Sequence, residues 1–212
     1  MPQRYALGAP GWDDERVQSE FSDSLKLQVW HSEKHTLRNI DMFFFLVLSE
    51  DHYYIVCFDM RKREALVINN SDEREGVDIR QQYGSTPFRL QTVFADYLYT
   101  KGLKTKSLMV RRACMARLEM SWRYTDNNND CGVYVMWHME TYMGQSVNAW
   151  KCNLEKGNVF QMNVLRIKYC GSILASGLNE HAASVERSTN ATFAAISKKK
   201  QPSVNDILSG DV

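Results

Sequence analysis

The sequence predicts an α+β domain, and three observations carry that prediction. Three short apolar runs with charged boundaries, at residues 42–48, 52–58 and 64–70, are typical of β-strands. After residue 86 the apolar residues recur at helical spacing instead, up to Gly102. A polar turn at residues 127–130 then leads into another apolar run, which indicates a second helix. A group of strands followed by helices is characteristic of the α+β class.

Length and charge limit the classes to which the protein can belong. The chain has 212 residues, which is enough for one domain with a sizeable core. Its formal net charge is +1, so no overall field attracts nucleic acid, and we expect no nucleic-acid partner. No apolar run approaches the roughly 18 residues of a membrane span. The first five residues lack the apolar core of a signal peptide, and we expect no membrane partner.

The cysteines indicate the redox environment. There are five of them at wide spacing, and no two form a Cys-x-x-Cys pair. This pattern argues against a disulfide framework and against a zinc site. The sequence therefore predicts an intracellular, reducing compartment, and it indicates no metal and no organic cofactor.

The predicted elements follow one another closely in the central part of the chain. Short polar connections join the three strands, so we expect an antiparallel meander. Residues 76–85 are predicted as a polar loop before the helix that ends at Gly102. Residues 108–110 and 116–124 are predicted as further strands. The helix that follows Asp130 is expected to end near residue 144.

The flanking regions have weaker patterns. We expect residues 1–39 to be an irregular or truncated N-terminal segment, with a short amphipathic helix over residues 13–30 as the alternative. Residues 160–174 predict one more helix that covers the sheet. Residues 177–212 are rich in Ser, Asn, Ala and Lys, and we expect a disordered tail there.

Cys131 is the first candidate for chemistry. Asp130 is a good N-cap residue and Gly132 lets other backbone approach closely, so Cys131 is predicted at a helix N-terminus. The free amides and the dipole of such a terminus favour an anion and stabilise a thiolate. Cys131 is therefore a candidate nucleophile. The alternative, a buried cysteine that packs as a small hydrophobic residue, stays open at this point.

A cysteine nucleophile needs a base that accepts its proton. His138 lies seven residues after Cys131 on the same predicted helix, about 10 Å along its axis, which is too far for a hydrogen bond. We expect His138 to be a packed structural histidine. His52 opens a strand directly after a tight turn, where a side chain can face a cleft, and it is the candidate base. The alternative is an ordinary histidine at a strand end.

The base in turn needs a group that holds its tautomer. Asn69 ends the neighbouring strand, 17 positions after His52, and a hairpin brings such ends to one edge of the sheet. Its amide oxygen can accept a hydrogen bond from an imidazole, although it carries no charge. Asn70 and Asp72 are alternatives for this role. A plain polar turn over residues 69–72 is the other interpretation.

With His52, Asn69 and Cys131 in that order, the sequence resembles the ubiquitin-like protease family of cysteine peptidases, which are SUMO protease-type and adenain-like. The resemblance rests on residues 52–59, 67–71 and 129–135 and covers about residues 40–176. Within the family, the sequence looks most like a plant, transposon-associated branch. That likeness rests on residues at the end of the predicted nucleophile helix and after it, which are His138, Met139, Glu140, Gly144, Trp150 and residues 165–170.

The resemblance implies a fold and a function. The fold is a mixed or antiparallel central sheet packed by helices, a papain-like core with the nucleophile at a helix N-terminus. The implied activity is that of a cysteine-type peptidase, acting as a monomer, with a Cys-His-Asn site. It would cleave after the C-terminal glycines of a ubiquitin-like modifier such as SUMO, in processing or in deconjugation. The compartment is expected to be the nucleus or the cytoplasm, and the resemblance alone implies the nucleus.

The sequence departs from the family pattern at several positions. Asn69 stands where the family usually has aspartate, and Thr125 stands where it has an oxyanion-hole glutamine. Asn127 or Asn128 could replace that donor, whose loss costs about 2.7–4 kcal/mol of transition-state stabilisation. Tyr53 stands where the family has tryptophan, and residues 1–40 lack a match to an early tryptophan-bearing segment. The alternative function is therefore an inactive, transposon-derived relative that keeps the fold and binds a modifier.

Overall fold

The computed structural model describes residues 14–30, 37–49, 51–71, 76–126 and 129–200. The chain divides into two compact units, residues 1–159 and residues 160–212. The first unit is an α+β domain, as the sequence predicts, and it contains the candidate site.

One mixed sheet forms the centre of the first unit, and its strands are ordered β1-β2-β3-β4 along the sheet. The first three strands form the predicted antiparallel meander, and β4 pairs parallel to β3. Parallel pairing requires a crossover, which residues 69–113 provide. The strands are β1 (Met42–Ser49), β2 (His52–Asp59), β3 (Glu64–Ile68) and β4 (Cys114–Arg117).

Helices occupy most of the remaining described chain. The helices are α1 (Asp14–Trp30), α2 (Ile79–Tyr83), α3 (Thr86–Thr100), α4 (Lys104–Arg112), α5 (Cys131–Thr141), α6 (Val159–Leu174) and α7 (Ala182–Lys200). Single turns of 3₁₀-helix lie at Leu37–Asn39 and Val147–Ala149. The predicted helices that end near residues 102 and 144 are confirmed as α3 and α5.

One predicted strand is wrong, and another is confirmed only at its start. Residues 108–110 belong to helix α4, where Val110 is buried and Leu108 is exposed. A triplet of apolar residues is too short to show a period, so the sequence could not separate a strand from a helix there. Of the strand predicted at 116–124, only the first two residues pair within β4. The chain then leaves the sheet after Leu118, whose N–H donates to the Val67 carbonyl at 2.9 Å.

The predicted loop at residues 76–85 contains helix α2. The Asp78 side chain accepts a hydrogen bond from the Arg80 N–H at 2.8 Å and so caps the helix. Ile79 and Tyr83 are one turn apart and pack together against the core, which fixes this short helix through tertiary contact.

Helix α1 is the alternative that the sequence offered for residues 13–30. Phe21 stacks on Phe45 of β1, with ring centroids 5.8 Å apart, and Leu25 also packs against the core. The spacing of four between these residues places them on one face, so this segment is more ordered than the irregular one we expected.

Strand β2 separates two hydrophobic cores. Tyr54, Val56 and Phe58 point to one face, where they pack in the cluster that contains helix α3 residues such as Phe94. Ile55 and Cys57 point to the other face, in a cluster with α5 and with the aromatic residues Trp122, Tyr142 and Trp150. The sheet is therefore covered by helices on both faces, and α5 lies on the second.

The second unit consists mainly of two helices. Helix α6 confirms the predicted helix at residues 160–174, and it buries Met162 and Leu165. Helix α7 differs from the disordered tail that we expected after residue 177. The side chains of residues 182–195 are largely exposed, so no buried apolar stripe marks this helix in the sequence. Alanine, which recurs in it, is the strongest helix former. Residues 201–212 lie outside the described residues.

No helix in the described ranges combines the length and the apolar character needed to cross a bilayer.

Candidate active site

His52 and Asn69 meet at one end of the sheet. His52 is the first residue of β2, and Asn69 directly follows β3. The antiparallel register pairs Ile55 with Ile68, so the start of one strand lies beside the end of the other. Nε2 of His52 lies 2.7 Å from Oδ1 of Asn69, which is a short hydrogen bond. Local strand geometry thus produces the contact that the sequence spacing predicts.

The remaining atoms of the Asn69 amide are also bonded. Oδ1 accepts a second hydrogen bond, from the Ser71 N–H at 3.1 Å. Nδ2 donates to the hydroxyl of Tyr83 at 3.0 Å. The side chain is only 3% exposed, so these protein groups replace water around the amide.

This network fixes the tautomer of His52. A backbone N–H can only donate, so the Asn69 atom that faces Ser71 must be the oxygen. Because that oxygen also faces His52, Nε2 of the imidazole must carry a hydrogen. The other nitrogen, Nδ1, is then the basic nitrogen of the neutral ring.

Cys131 is the first residue of helix α5 and is 7% exposed. The first helical hydrogen bond runs from the Tyr134 N–H to the Asp130 carbonyl at 2.9 Å. The N–H groups of Cys131, Gly132 and Val133 precede that bond and are therefore not used inside the helix. They give the helix N-terminus the partial positive charge that stabilises an anion there.

Asp130 does not cap α5 with its side chain, although the sequence favours it as an N-cap residue. Its φ of −106° and ψ of 4° differ from the extended conformation that aims an N-cap side chain at the first-turn amides. The side chain is buried instead, and the Asp130 carbonyl accepts the first helical hydrogen bond.

The direction of α5 places Cys131 at the His52 end of the sheet. At the opposite end, Nη2 of Arg61 bonds both Asp59 Oδ2 at 3.0 Å and the Met143 carbonyl at 2.9 Å, which ties the C-terminal side of α5 to the end of β2. The helix packs along β2 and is about 16 Å long. Its N-terminus therefore lies toward the start of β2.

A second contact supports this direction. The Tyr124 N–H donates to the Asn70 carbonyl at 2.7 Å, beside Asn69. Tyr124 lies seven residues before Cys131, so the segment that leads toward α5 passes beside Asn69. Within the described residues, however, no hydrogen bond joins Cys131 to His52. The structure assembles the His52–Asn69 pair and leaves the thiol at the same end without a direct bond to it.

The predicted oxyanion and substrate residues are only partly placed. Thr125 is half-buried, and its hydroxyl lies 3.5 Å from the Ser71 hydroxyl, two residues after Asn69. Asn127 and Asn128 lie outside the described residues. Tyr53 is half-buried and packs in the core on the α5 side of the sheet.

The structure shows which of the three candidate residues binds His52, namely Asn69. Asn70 is 2% exposed, and its side-chain oxygen has no hydrogen-bond partner within the described residues. His52 bonds Asn69 and not Asn70. Asp72 lies outside the described residues.

His138 is a structural residue, as the sequence predicts. It is 1% exposed, and its Nε2 accepts a hydrogen bond from the indole N–H of Trp122 at 3.1 Å. Burial lowers the pKa of His138 from 6.5 to about 3, so the ring is neutral at physiological pH. His138 lies two helical turns from Cys131, and its Nε2 is already hydrogen-bonded to Trp122.

The other cysteines lack the setting of a nucleophile. Burial raises the pKa of Cys57 to about 12 and that of Cys152 to about 11, so both thiols stay protonated. Cys114 and Cys170 are exposed, and neither begins a helix. In the described ranges, no group of three or more His, Cys, Asp and Glu side chains is arranged to hold a metal ion.

Two residues around Asn69 were not identified from the sequence. Tyr83 lies in α2, in the segment predicted as a loop, and contacts the amide directly. Arg117, at the end of β4, donates to the Ser71 carbonyl and, at 2.7 Å, to the Gln82 side chain. Neither residue has a motif or a spacing that relates it to His52, so the sequence offered no signal for them.

Several solved structures are similar to this chain at low identity, among them the following three. One is a SUMO protease Ulp1 with its catalytic cysteine oxidised to a sulfenic acid, at 12% identity and a TM-score of 0.43, over 73% of this chain and 62% of that chain. Another is the C-terminal Ulp1 protease domain in complex with Smt3, the yeast ortholog of SUMO. It has 12% identity and a TM-score of 0.39, over 63% of this chain and 57% of that one. A de-sumoylating protease has 11% identity and a TM-score of 0.42, over 87% and 70%.

The chain spans less than two thirds of the length of the first two structures. No protein-family model and no curated protein matches it. The geometry of the site therefore carries the functional argument, and the plant, transposon-associated branch stays a prediction.

Proposed function

We propose that this chain is a cysteine peptidase in which Cys131 is the nucleophile, His52 is the base and Asn69 orients the base. The hydrogen bond between His52 and Asn69 is the observation that supports this most directly. It makes Nδ1 the basic nitrogen of the ring, and it occurs at the end of the sheet toward which the N-terminus of α5 points.

The chemistry follows from these positions. Nδ1 of His52 accepts the thiol proton of Cys131, and the thiolate attacks the carbonyl carbon of the scissile bond. The protonated imidazole then gives its proton to the leaving amine, and an acyl-enzyme remains on the sulfur. Water, activated by the same imidazole, hydrolyses the thioester and restores the thiol.

The oxyanion of the tetrahedral intermediate needs donors that are already in place. The Cys131 N–H is one such donor, because α5 does not use it in a helical hydrogen bond. In the preceding segment, the hydroxyl of Thr125 lies 3.5 Å from that of Ser71, which belongs to the base network. We assign the second donor to Thr125, Asn127 or Asn128.

The proposed substrate is the C-terminal di-glycine of a SUMO-type ubiquitin-like modifier, either in a precursor or in an isopeptide bond to lysine. This part of the proposal comes from the resemblance of residues 52–59 and 129–135 to ubiquitin-like proteases. An extended glycine tail also suits a nucleophile that is 7% exposed, since it is the thinnest segment a peptide can offer.

The test is covalent labelling by ubiquitin, SUMO and other ubiquitin-like proteins that carry a C-terminal electrophile. We expect an adduct with a SUMO-type probe that is absent from Cys131→Ala and present in Cys170→Ala. Cys170 is a matched control because it is exposed and lies outside the site. His52→Ala should slow labelling about 100-fold or more, since the thiol then lacks its base.

The second candidate function is a modifier-binding protein that has lost catalysis. The missing Cys131–His52 bond and the uncharged Asn69 favour it. In that case no probe labels the folded protein, while an unmodified SUMO-type protein still binds in a titration. Labelling that survives in Cys131→Ala would contradict both candidates.

A further inference from the structure

We propose that an exposed apolar stripe on helix α6 binds the same stripe of a second copy of this chain, in a weak dimer with two-fold symmetry. The α6 stripe consists of Phe160, Val164, Ile167 and Leu174. It includes no residue of the candidate active site, so the dimer does not depend on the proposed peptidase activity. It differs from the monomer that the resemblance to ubiquitin-like proteases implies.

The α6 stripe has the spacing of a helix that packs against another helix. Its residues are four, three and seven positions apart, and Gly171 divides the interval of seven into steps of four and three. At about 100° per residue, the four side chains lie within roughly 80° of the helix circumference. Apolar positions at alternating steps of three and four form the seam between two paired helices.

The side chains of the α6 stripe are uncovered in the structure. Their exposed fractions are 76, 49, 75 and 40% in the order of the chain. The side of α6 that is already packed is the opposite one, where Met162 and Leu165 are buried. A helix that is apolar on two sides is typical of one that is covered on two sides. An exposed apolar stripe of this kind therefore marks an interaction surface.

Gly171 lies within the α6 stripe. A glycine inside a helix lowers stability relative to alanine, because it loses more conformational freedom on folding. Packing among the described residues does not require a glycine there, since an added Cβ would meet no atom beyond the local helix within 4 Å. Between two paired helices, however, a position without a side chain lets the two backbones approach closely.

A second copy fits the α6 stripe because the stripe is nearly symmetric about Ile167. Phe160 lies seven residues before Ile167, and Leu174 lies seven residues after it. In an antiparallel pair, the two-fold axis passes between the two Ile167 side chains, and Phe160 faces Leu174 of the second copy. Val164 then faces Gly171 of the second copy, which leaves room for it. Each copy contributes the same patch, as a two-fold contact requires.

The area of the α6 stripe is that of a weak dimer. Given the exposed fractions, the four side chains present roughly 450 Å² in each copy, and the pair with its flanking residues buries about 1,000 Å². This area is at the lower limit for a specific interface. We therefore expect a dissociation constant on the order of 10–100 μM.

The charges beside the α6 stripe distinguish a second copy from other occupants. Helix α6 contains Arg166 and Lys168 and no acidic residue. Two copies therefore bring like charges together, and salt, which screens exposed charges, should strengthen the dimer. An acidic partner would instead bind more weakly as the salt concentration rises.

Sedimentation equilibrium of the full chain, at about 5–200 μM, tests the proposal. We expect the mass to rise with concentration from 24.6 kDa toward twice that value. Ile167→Glu should weaken association at least about tenfold, because it places two carboxylates at the centre of the seam. Since Ile167 is largely exposed, this substitution removes no core contact. Circular dichroism checks that the helices are retained.

Ile173→Glu is the matched control. Ile173 lies on the same helix and is 59% exposed, but it is about 120° around the circumference from Ile167. It should leave the dissociation constant unchanged. Equal weakening by Ile167→Glu and Ile173→Glu would overturn the proposal, because it would show general adhesion of exposed apolar residues.

Two further results would also overturn the proposal. One is a mass that stays at 24.6 kDa over the whole concentration range. The other is a dimer that weakens as the salt concentration rises, which would show that opposite charges hold it together. Labelling of Cys131 should be equally fast in Ile167→Glu and in the wild type. A failure of the proposed peptidase activity therefore leaves the dimer standing, and a failure of the dimer leaves the peptidase standing.

Discussion

The two ends of strand β2 use opposite kinds of interaction. At the closed end, defined by Asp59, Arg61 and Gly144, the buried carboxylate of Asp59 accepts from the Arg61 N–H at 2.9 Å and from its guanidinium at 3.0 and 3.1 Å. At the site end, defined by His52, Asn69 and Cys131, the contacts join neutral groups. Within the described residues, the Cys131 thiol makes no hydrogen bond to His52 there.

This difference shows that the contacts that anchor α5 lie at the other end of β2 from the candidate site residues Cys131 and His52. Arg61 also binds the Met143 carbonyl, so the closed end fixes the C-terminal side of α5 to the sheet. With α5 held there and along its length by the aromatic core, the N-terminus does not need a bond between Cys131 and His52 to keep its place. Under the proposed function, those two side chains are then available to the substrate.

The largest expected effect comes from breaking the closed end at Gly144. Its φ is +85°, and an added Cβ would overlap Asp59 Oδ2 and lie 2.6 Å from Arg61 Nη2. Asp59 is 1% exposed and cannot move aside, so Gly144→Ala must strain the backbone and displace the ion pair. We expect a loss of about 3 kcal/mol in the free energy of unfolding, measured by urea denaturation.

Gly102→Ala is the control for that measurement. Gly102 has a φ of +75°, but an added Cβ there meets no atom within 4 Å. It should therefore cost only the backbone strain, about 1 kcal/mol. Equal losses in the two variants would mean that the closed end does not anchor α5 as described.

The next prediction concerns the free energy of unfolding at acidic pH, which depends on His138, the buried histidine of α5. The folded-state pKa of His138 is about 3, below its ordinary value of 6.5. Between these two pH values the unfolded chain therefore binds a proton at His138 that the folded chain does not bind. The free energy of unfolding should then fall as the pH drops from 6.5 toward 3, by about 1.4 kcal/mol per pH unit. At pH 5 this amounts to about 2 kcal/mol, and above pH 6.5 the contribution does not vary.

His138→Gln isolates this term, because the glutamine oxygen can still accept from Trp122 but does not titrate. We expect the variant to lose about 2 kcal/mol less than the wild type between pH 6.5 and 5, measured by denaturation at each pH. Parallel curves for the two proteins would contradict the assignment of His138 as a neutral buried residue.

The smallest expected effect comes from a substitution that adds a carboxylate to the site end, so that this end resembles the closed end. Asn69→Asp keeps the acceptor for His52 and Ser71, and its carboxylate attracts the imidazolium that forms when His52 takes the thiol proton. We expect labelling of Cys131 by the SUMO-type probe to be about tenfold faster, equivalent to about 1.4 kcal/mol.

Asn70→Asp is the matched control, because Asn70 is equally buried and does not bond His52. It should not accelerate labelling. A rate increase in both variants would show a general effect of negative charge near the site, rather than a role for Asn69 as the partner of the base.

The sequence predicted contacts that are close along the chain better than contacts between distant segments. His52 and Asn69 belong to one antiparallel pair of strands, so their proximity follows from the short turn between them. The strand predicted at 108–110 failed because three residues show no period, and helix α2 was missed because packing stabilises it. Tyr83 contacts Asn69 from that helix, so no sequence pattern pointed to it.

The sequence by itself determined the meander, the helix that begins at Cys131, and the His52–Asn69 pair, because apolar period and turn length fix neighbours within a hairpin. Only the tertiary structure decided which side chains surround that pair. The crossover between β3 and β4 places α2 beside Asn69. Arg61 binds the Met143 carbonyl and so holds the C-terminal side of α5 at the end of β2. Burial likewise separated the two histidines, since the interior removes water from His138 and leaves His52 half-buried beside its amide partner.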